Sequence, residues 1–356
     1  MSIPKNESEL TVQWLQGIFH DYGSIADFAV ERVSGHTGMT ASLVRLRLKF
    51  DSNAESGAPK SVIVKFASQV MPDFIYQYFY PSEHGFYQSH LADPNLIPLA
   101  KCYYSSCNPQ EKSFILVLED LNGYHSGSLN HGFTEKRLMN TVTFLARLHS
   151  EWWEKPIADA HWLKGHMIQL MIANGDYPKL ALLQLSRTVQ NDFLDYISVN
   201  IDKIIETAKR LQRTATEPPV TFIHGDSQFG NLFFDDNDAL AAVIDWQLPA
   251  RIKGVYDLSS LIGLSIPSMV RRKYEHNLLD QYLNQLTDSG VSGYGADQLR
   301  LDYSIALFYC GFRLLGACAA TFNGSEEHLI WAKECLDRVQ SFFEDWKIWR
   351  TVGIDQ

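Results

Sequence analysis

The stretch Phe222-Ile223-His224-Gly225-Asp226-Ser227-Gln228-Phe229-Gly230-Asn231-Leu232 carries residue types that can do chemistry at regular spacing. An apolar run delivers His224 and Asp226, and Asn231 stands five positions after the aspartate. Fourteen positions beyond Asn231, the apolar run Ala241 to Ile244 ends at Asp245-Trp246-Gln247. Phosphoryl transfer needs these parts. One carboxylate must accept the proton of the attacking hydroxyl, and two further oxygen ligands must hold Mg2+ on the phosphates. In that reading Asp226 is the base, Asn231 and Asp245 are the metal ligands, and His224 supports the loop. Taken singly, Asp and Asn also read as turn formers, and His224 reads as a hydrogen-bonded core histidine. The joint pattern is what favours catalysis.

A phosphate site also needs a cation and backbone amides. Lys65 interrupts the apolar run Val62-Ile63-Val64-Lys65-Phe66, either as an exposed strand lysine or as a ligand of the α- and β-phosphates. Gly35-His36-Thr37-Gly38 falls in a turn between two strand patterns. Gly35 and Gly38 there either let backbone N–H groups approach phosphates or simply turn the chain. Pro81 predicts a helix start, which puts Glu83 in the first turn. Glu83 then either orients Lys65 or complements the helix dipole.

The elements that must position these residues change character along the chain. From Ala41 to Phe50 apolar and polar residues alternate, with Val44, Leu46, Leu48 and Phe50 on one face and Arg45, Arg47 and Lys49 on the other. That period of two predicts a half-buried strand, paired in a hairpin with the run Phe28-Ala29-Val30. Further strands are predicted at Ser61 to Phe66 and Phe114 to Glu119. Leu138, Val142, Leu145 and Leu148 mark a helical stripe, and helical patterns fill Leu180 to Arg213. Short strands follow at Val220 to Ile223, Asn231 to Phe234 and Leu240 to Ile244, and the chain is helical again from Tyr256. The layout is α+β. A β-rich N-terminal lobe (1–119) meets a larger helical lobe (120–356) at a hinge near 117–123.

The 356 residues carry a net charge of −10, with 46% hydrophobic and 20% charged residues, which fits a globular chain. An acidic surface repels phosphate backbones and anionic bilayers, so neither nucleic acid nor membrane is an expected partner. The five cysteines show no metal or disulfide spacing and read as reduced thiols of a cytoplasmic protein. The polar N-terminal residues lack an apolar signal-peptide core, and Ile305 to Phe322, interrupted by Arg313, reads as a buried helix. Asp235-Asp236-Asn237-Asp238 reads as a hairpin turn rather than a calcium loop, and His161 with His166 lacks ligand spacing. Trp152, Trp153 and Trp162 read as packing residues, with an apolar acceptor wall as the alternative. Between residues 158 and 212 six acidic residues face six basic ones among many Leu, Ile and Met. That balance favours an uncharged, partly apolar acceptor over a polycation.

These residues resemble the aminoglycoside phosphotransferase and choline kinase superfamily, over essentially the whole chain. The resemblance implies a bilobal protein-kinase-like fold and transfer of the γ-phosphoryl group of ATP, with Mg2+, to a hydroxyl of a small molecule. It implies Lys65 as the nucleotide-binding lysine and Glu83 as its helix partner. Asp226 matches the base, and Asn231 and Asp245 match the metal ligands. Val117-Leu118-Glu119-Asp120-Leu121 looks like the hinge that binds adenine through its backbone, with Glu119 and Leu121 as contacts. Leu145-Ala146-Arg147-Leu148-His149 resembles a family helix in which His149 is structural. Gly225 stands where protein kinases carry arginine, and Trp246-Gln247 where they carry Phe-Gly; both departures fit the small-molecule enzymes. The length, hinge and Glu-x-x-Phe-Tyr helix are most similar to the ecdysteroid kinase-like branch, implying a steroid-like alcohol. Aminoglycoside, choline-like, sugar and hydroxyacyl-thioester acceptors are the alternatives within the superfamily. A nucleotide-binding pseudokinase or scaffold is the alternative class.

Overall fold

Alternation along Ala41–Phe50 does produce a strand, the second of ten among the described residues. The computed structural model describes residues 3–33, 41–51, 55–68, 73–127, 133–163, 165, 169, 176–321 and 325–354. The chain divides into two units. The first comprises Met1–Tyr124, Asp159–Lys164 and Ala241–Gln247; the second comprises His125–Ala158, Gly165–Leu240 and Leu248–Gln356.

In the first unit, β1 (Ile25–Arg32), β2 (Ala41–Phe50), β3 (Ser61–Ala67), β4 (Cys102–Asn108) and β5 (Ser113–Glu119) form one antiparallel sheet in the order β1-β2-β3-β5-β4. Val44, Leu46 and Leu48 are buried, while Arg47 and Lys49 face solvent. Arg45 departs from that pattern. Its guanidinium donates to Asp120 at 2.7 and 3.2 Å, and Ser61 Oγ donates to the same carboxylate at 2.6 Å. Burial pushes the Asp120 carboxyl up, but the Arg45 and Ser61 bonds outweigh it and hold it below its ordinary value. Helix α1 (Val12–Phe19), capped by Thr11 Oγ accepting from Trp14 N at 3.1 Å, buries Trp14, Leu15 and Phe19 in the core with Leu46, Val64 and Val117.

Helix α2 (Asp73–Gln88) corrects the expected start at Pro81, which lies inside it. Proline there removes one helical hydrogen bond. The preceding turns persist because Ile75, Tyr76, Phe79 and Tyr80 are buried, so packing overrides the local signal. Glu83 consequently sits in the third turn, not the first.

In the second unit, α3 (Glu135–Glu151) starts at Thr134, whose Oγ accepts from Arg137 N, and its stripe Leu138, Val142, Leu145 and Leu148 is fully buried. The following helical pattern resolves into α4 (Asp176–Thr188), α5 (Asp192–Val199) and α6 (Ile201–Thr216). Strand β6 (His125–Ser126) pairs antiparallel with β8 (Leu232–Phe234), and β7 (Thr221–Ile223) with β10 (Ala250–Ile252). The expected strand from Asn231 is shorter, because Phe229–Asn231 forms a 3-10 turn before β8. The acidic segment before β9 (Leu240–Val243) is a turn closed by Asp235 N donating to Ala239 O at 3.0 Å, and Asp238 binds Arg137 at 2.6 Å.

Helix α7 (Val255–Leu258) continues into a π-helical segment, Ser259–Leu264, a widened turn of the kind found at functional sites. Helices α8 (Ser268–Asp288), α9 (Ala296–Thr321), α10 (Glu326–Asp345) and α11 (Ile348–Val352) complete the chain. Among the described residues, α9 is the one helix long and apolar enough to cross a membrane, and 72% of its apolar window is buried inside the protein.

Candidate active site

The residues singled out by spacing fall into two groups, one in each unit. In the first, Lys65 points from the central strand β3, between Leu43 of β2 and Leu116 of β5. Its Nζ lies 2.9 and 2.8 Å from the two Glu83 carboxylate oxygens and 2.7 Å from Asp245 Oδ1. Lys65 is 8% exposed and Glu83 fully buried, so Lys65 is not an exposed strand lysine. Burial pulls the ammonium down, yet the Asp245 and Glu83 charges more than offset it and its affinity for its proton is raised. Burial likewise drives the Glu83 carboxyl up to about 7, against the lowering effect of Lys65. A lysine balanced by two carboxylates keeps its charge without water, as a phosphate ligand must.

Asp245 adopts a left-handed backbone at φ 64°, sparsely populated by residues other than glycine. Trp246 beside it is fully buried and stacks on Phe86 of α2, with ring centroids 3.9 Å apart and planes 10° from parallel. The helix that carries Glu83 is thus locked to the residue following Asp245. Sequence reading compared Trp246 only with the Phe-Gly of protein kinases; its stacking partner, far away in sequence, left no local signal. At the end of β5, Glu119 N donates to Lys101 O at 2.8 Å, and Leu121 O accepts from Tyr124 N at 3.0 Å. Gly35 and Gly38 lie outside the described residues.

In the second unit, β7 delivers the loop of His224, Asp226 and Asn231. Gly225 has φ 83°, and a Cβ on it would lie 1.9 Å from Leu248 O, so only glycine fits. His224 is fully buried, and its Nδ1 accepts from Asp226 N at 3.2 Å. Asn231 Nδ2 donates to Asp226 O at 2.8 Å and to Asp226 Oδ2 at 3.2 Å, so the amide oxygen is turned away from that carboxylate. Gln228 Nε2 lies 3.2 Å from the same Oδ2.

Two residues that sequence reading missed hold this loop. Asp257 of α7 accepts from His224 N and Gly225 N, each at 2.8 Å, and from the fully buried His149 at 3.2 Å. Arg313 of α9 lies 2.9 Å from Asp226 Oδ1. Burial pushes the Asp257 carboxyl up, but the bond and charge of His149, aided by His224, outweigh it and hold it below 3.8. A depressed carboxylate contributes stability above its unfolded pKa and loses it as pH falls through its folded value. Asp257→Asn should therefore cost about 1–3 kcal/mol for each buried N–H left unpaired at neutral pH. That deficit should shrink below pH 3.8. Urea melts at pH 7 and in acid check this; a deficit of equal size at both would refute it.

Trp162 and Trp153 pack against other residues. Trp162 of the first unit is buried where a Cβ on Gly85 would fall 2.2 Å from its ring, and Trp153 of the second lies 5.2 Å from the Tyr294 ring. His161 is exposed, and His166 lies outside the described residues. Among the described residues no group of three or more His, Cys, Asp or Glu side chains could hold a metal ion.

The model of the phosphotransferase enzyme family matches residues 77–297. Three solved structures share the fold. A microcompartment-associated aminopropanol kinase is 12% identical with TM-score 0.59, covering 97% of this chain and 99% of its own. A choline kinase from Cryptosporidium parvum is 12% identical with TM-score 0.58, covering 97% and 98%. A spectinomycin phosphotransferase, solved with ADP and spectinomycin, is 13% identical with TM-score 0.56, covering 94% and 98%. No curated protein sequence matches the chain.

Proposed function

The chain belongs to the phosphotransferase enzyme family, and from that premise we propose that it moves the γ-phosphoryl group of ATP onto a hydroxyl of an uncharged, partly apolar small molecule. The observation that carries the nucleotide reading is the buried Lys65, held 2.7–2.9 Å from Glu83 and Asp245. In this reading Lys65 binds the α- and β-phosphates and Glu83 orients it. Glu119 and Leu121 present backbone groups to adenine; the Leu121 carbonyl already takes Tyr124 N, so its N–H is the natural donor. Gly35 and Gly38 would approach the phosphates. Asp226 takes the proton of the acceptor hydroxyl.

A carboxylate and an amide oxygen are the hard donors that Mg2+ prefers, so Asp245 and Asn231 suit it. Mg2+, when bound, neutralises charge on the phosphates. His224 supports the loop from its buried position.

The acceptor class follows from where the charges are used. Asp192 and Asp195 stand in the first turn of α5, and Asp202 pairs with Lys179 at 2.5 Å. Lys203 and Arg210 donate to the carbonyls of Ile354 and Val352, both at 2.7 Å. With six acids against six bases between residues 158 and 212, neither sign is in excess as a trap for a polyion, which supports a steroid-like or similar alcohol. Binding of such an acceptor should depend weakly on salt. Efficient phosphorylation of a polycationic aminoglycoside, fading steeply as salt rises, would overturn this acceptor class.

The nucleotide reading is tested by melting the protein with ATP and either Mg2+ or EDTA. Only a ligand that prefers the native state stabilises it, by about 2.7 kcal/mol at 100 times its Kd. The rise in Tm should be far larger with Mg2+. Equal stabilisation in the two conditions would remove the metal assignment, and none in either would remove ATP.

A further inference from the structure

Arg313 sits in a helix whose neighbouring residues Phe312, Leu314 and Leu315 are buried, and its own side chain is 15% exposed. A guanidinium taken so far out of water must be repaid by close partners. Among the described residues it has three, all around one loop. Nη1 donates to Gly225 O at 2.8 Å, Nη2 donates to Ser260 Oγ at 3.0 Å, and Nη2 lies 2.9 Å from Asp226 Oδ1. Position 225 cannot supply this cation itself, because any Cβ there would run into Leu248 O. The charge arrives from 88 positions away. Ser260 belongs to the π-helical segment, so the widened turn, the loop and α9 meet on one guanidinium.

We propose that Arg313 is a positioning residue for phosphoryl transfer, an inference that rests on Asp226 being the base. It fixes Asp226 by Oδ1 and ties the loop through Gly225 O. Among the described residues Oδ2 then holds the longer 3.2 Å contacts from Gln228 and Asn231, which an incoming hydroxyl can replace. The acceptor O–H bond breaks and its proton passes to Asp226 Oδ2. The acceptor oxygen bonds to the γ-phosphorus, and the bond from that phosphorus to the β,γ-bridging oxygen breaks, releasing ADP. The planar fork suits this geometry, because its two terminal nitrogens reach three groups at fixed angles.

The test compares wild type, Arg313→Ala and Arg313→Lys. Wild-type ADP release is measured first with a hydroxysteroid, choline and spectinomycin as acceptors; its absence with all three sinks the phosphotransfer reading, whatever residue 313 does. With turnover present, Arg313→Ala should lower kcat on the order of 100-fold, the scale of a misplaced reacting group, with KM for ATP nearly unchanged. Arg313→Lys should fall between, and added guanidinium ion should restore part of the Arg313→Ala rate. Wild-type kcat in Arg313→Ala overturns the proposal, as does a loss carried by KM and Tm together without rescue. Hydrogen exchange supplies a readout that needs no turnover. Amides 225–229 should exchange roughly 10-fold faster in Arg313→Ala while α9 stays protected. Unchanged exchange in that loop overturns the clamp.

Discussion

Asp226→Asn should lower turnover by roughly 10²–10⁴-fold, the usual contribution of a positioned general base. The substitution keeps the shape of the side chain. Its amide oxygen can still accept from Arg313, and the backbone bonds of Asp226 N to His224 and of Asp226 O to Asn231 do not involve the side chain. Folding should therefore survive. Nucleotide affinity should be close to wild type, because the lysine, its two carboxylates and the proposed adenine contacts belong to other parts of the chain. Steady-state ADP release and calorimetric titration of Mg-ATP measure the two effects separately. Wild-type turnover in the variant would show that Asp226 is not the base. A collapse of ATP affinity with intact folding would assign the residue to the nucleotide instead.

How far the sequence can be read depends on the range of the interaction. The alternation in Ala41–Phe50 and the stripe of α3 are local periodicities, and the strand and helix follow them closely. His224, Asp226 and Asn231 lie within eight positions on one loop, so their proximity was readable from spacing alone. Lys65 drew notice as a charge among apolar neighbours; its burial between two carboxylates required the third dimension. The failures have the same physics. Pro81 misled because packing of the preceding aromatic turns outweighs one lost hydrogen bond. Strand β4 escaped because Cys102–Asn108 is uniformly half-buried, with no alternation to detect. Asp257 and Arg313 act 32 and 88 positions from Gly225, and no local pattern marks a side chain whose partner is so distant. The central arginine of an apolar helix was the one available clue. In a buried helix such a charge needs a partner, and an unassigned partner is a reason to search.

Lys65→Met should destabilise the protein at alkaline pH and much less in acid. Glu83 is fully buried, and Asp245 Oδ1 shares the same ammonium, so removing Lys65 leaves a buried carboxylate uncompensated. Breaking a buried pair from one side costs about 3–5 kcal/mol. The sign with pH follows from Glu83, whose carboxyl is raised to about 7 by burial even with Lys65 lowering it. Without Lys65 it rises further. A carboxyl whose folded pKa exceeds its unfolded value of 4.5 exacts no penalty below that value. The penalty then grows as pH climbs through the folded pKa. Thermal melts should show wild type and variant converging near pH 4.5 and diverging above neutrality. Adding Glu83→Gln removes the stranded charge, so the double variant should regain most of the lost stability at high pH. Turnover should not return with it, because the proposed phosphate ligand is still missing. A deficit independent of pH would mean that Lys65 stabilises the fold by packing alone. Recovery of turnover in the double variant would mean that the nucleotide is held by something other than this lysine.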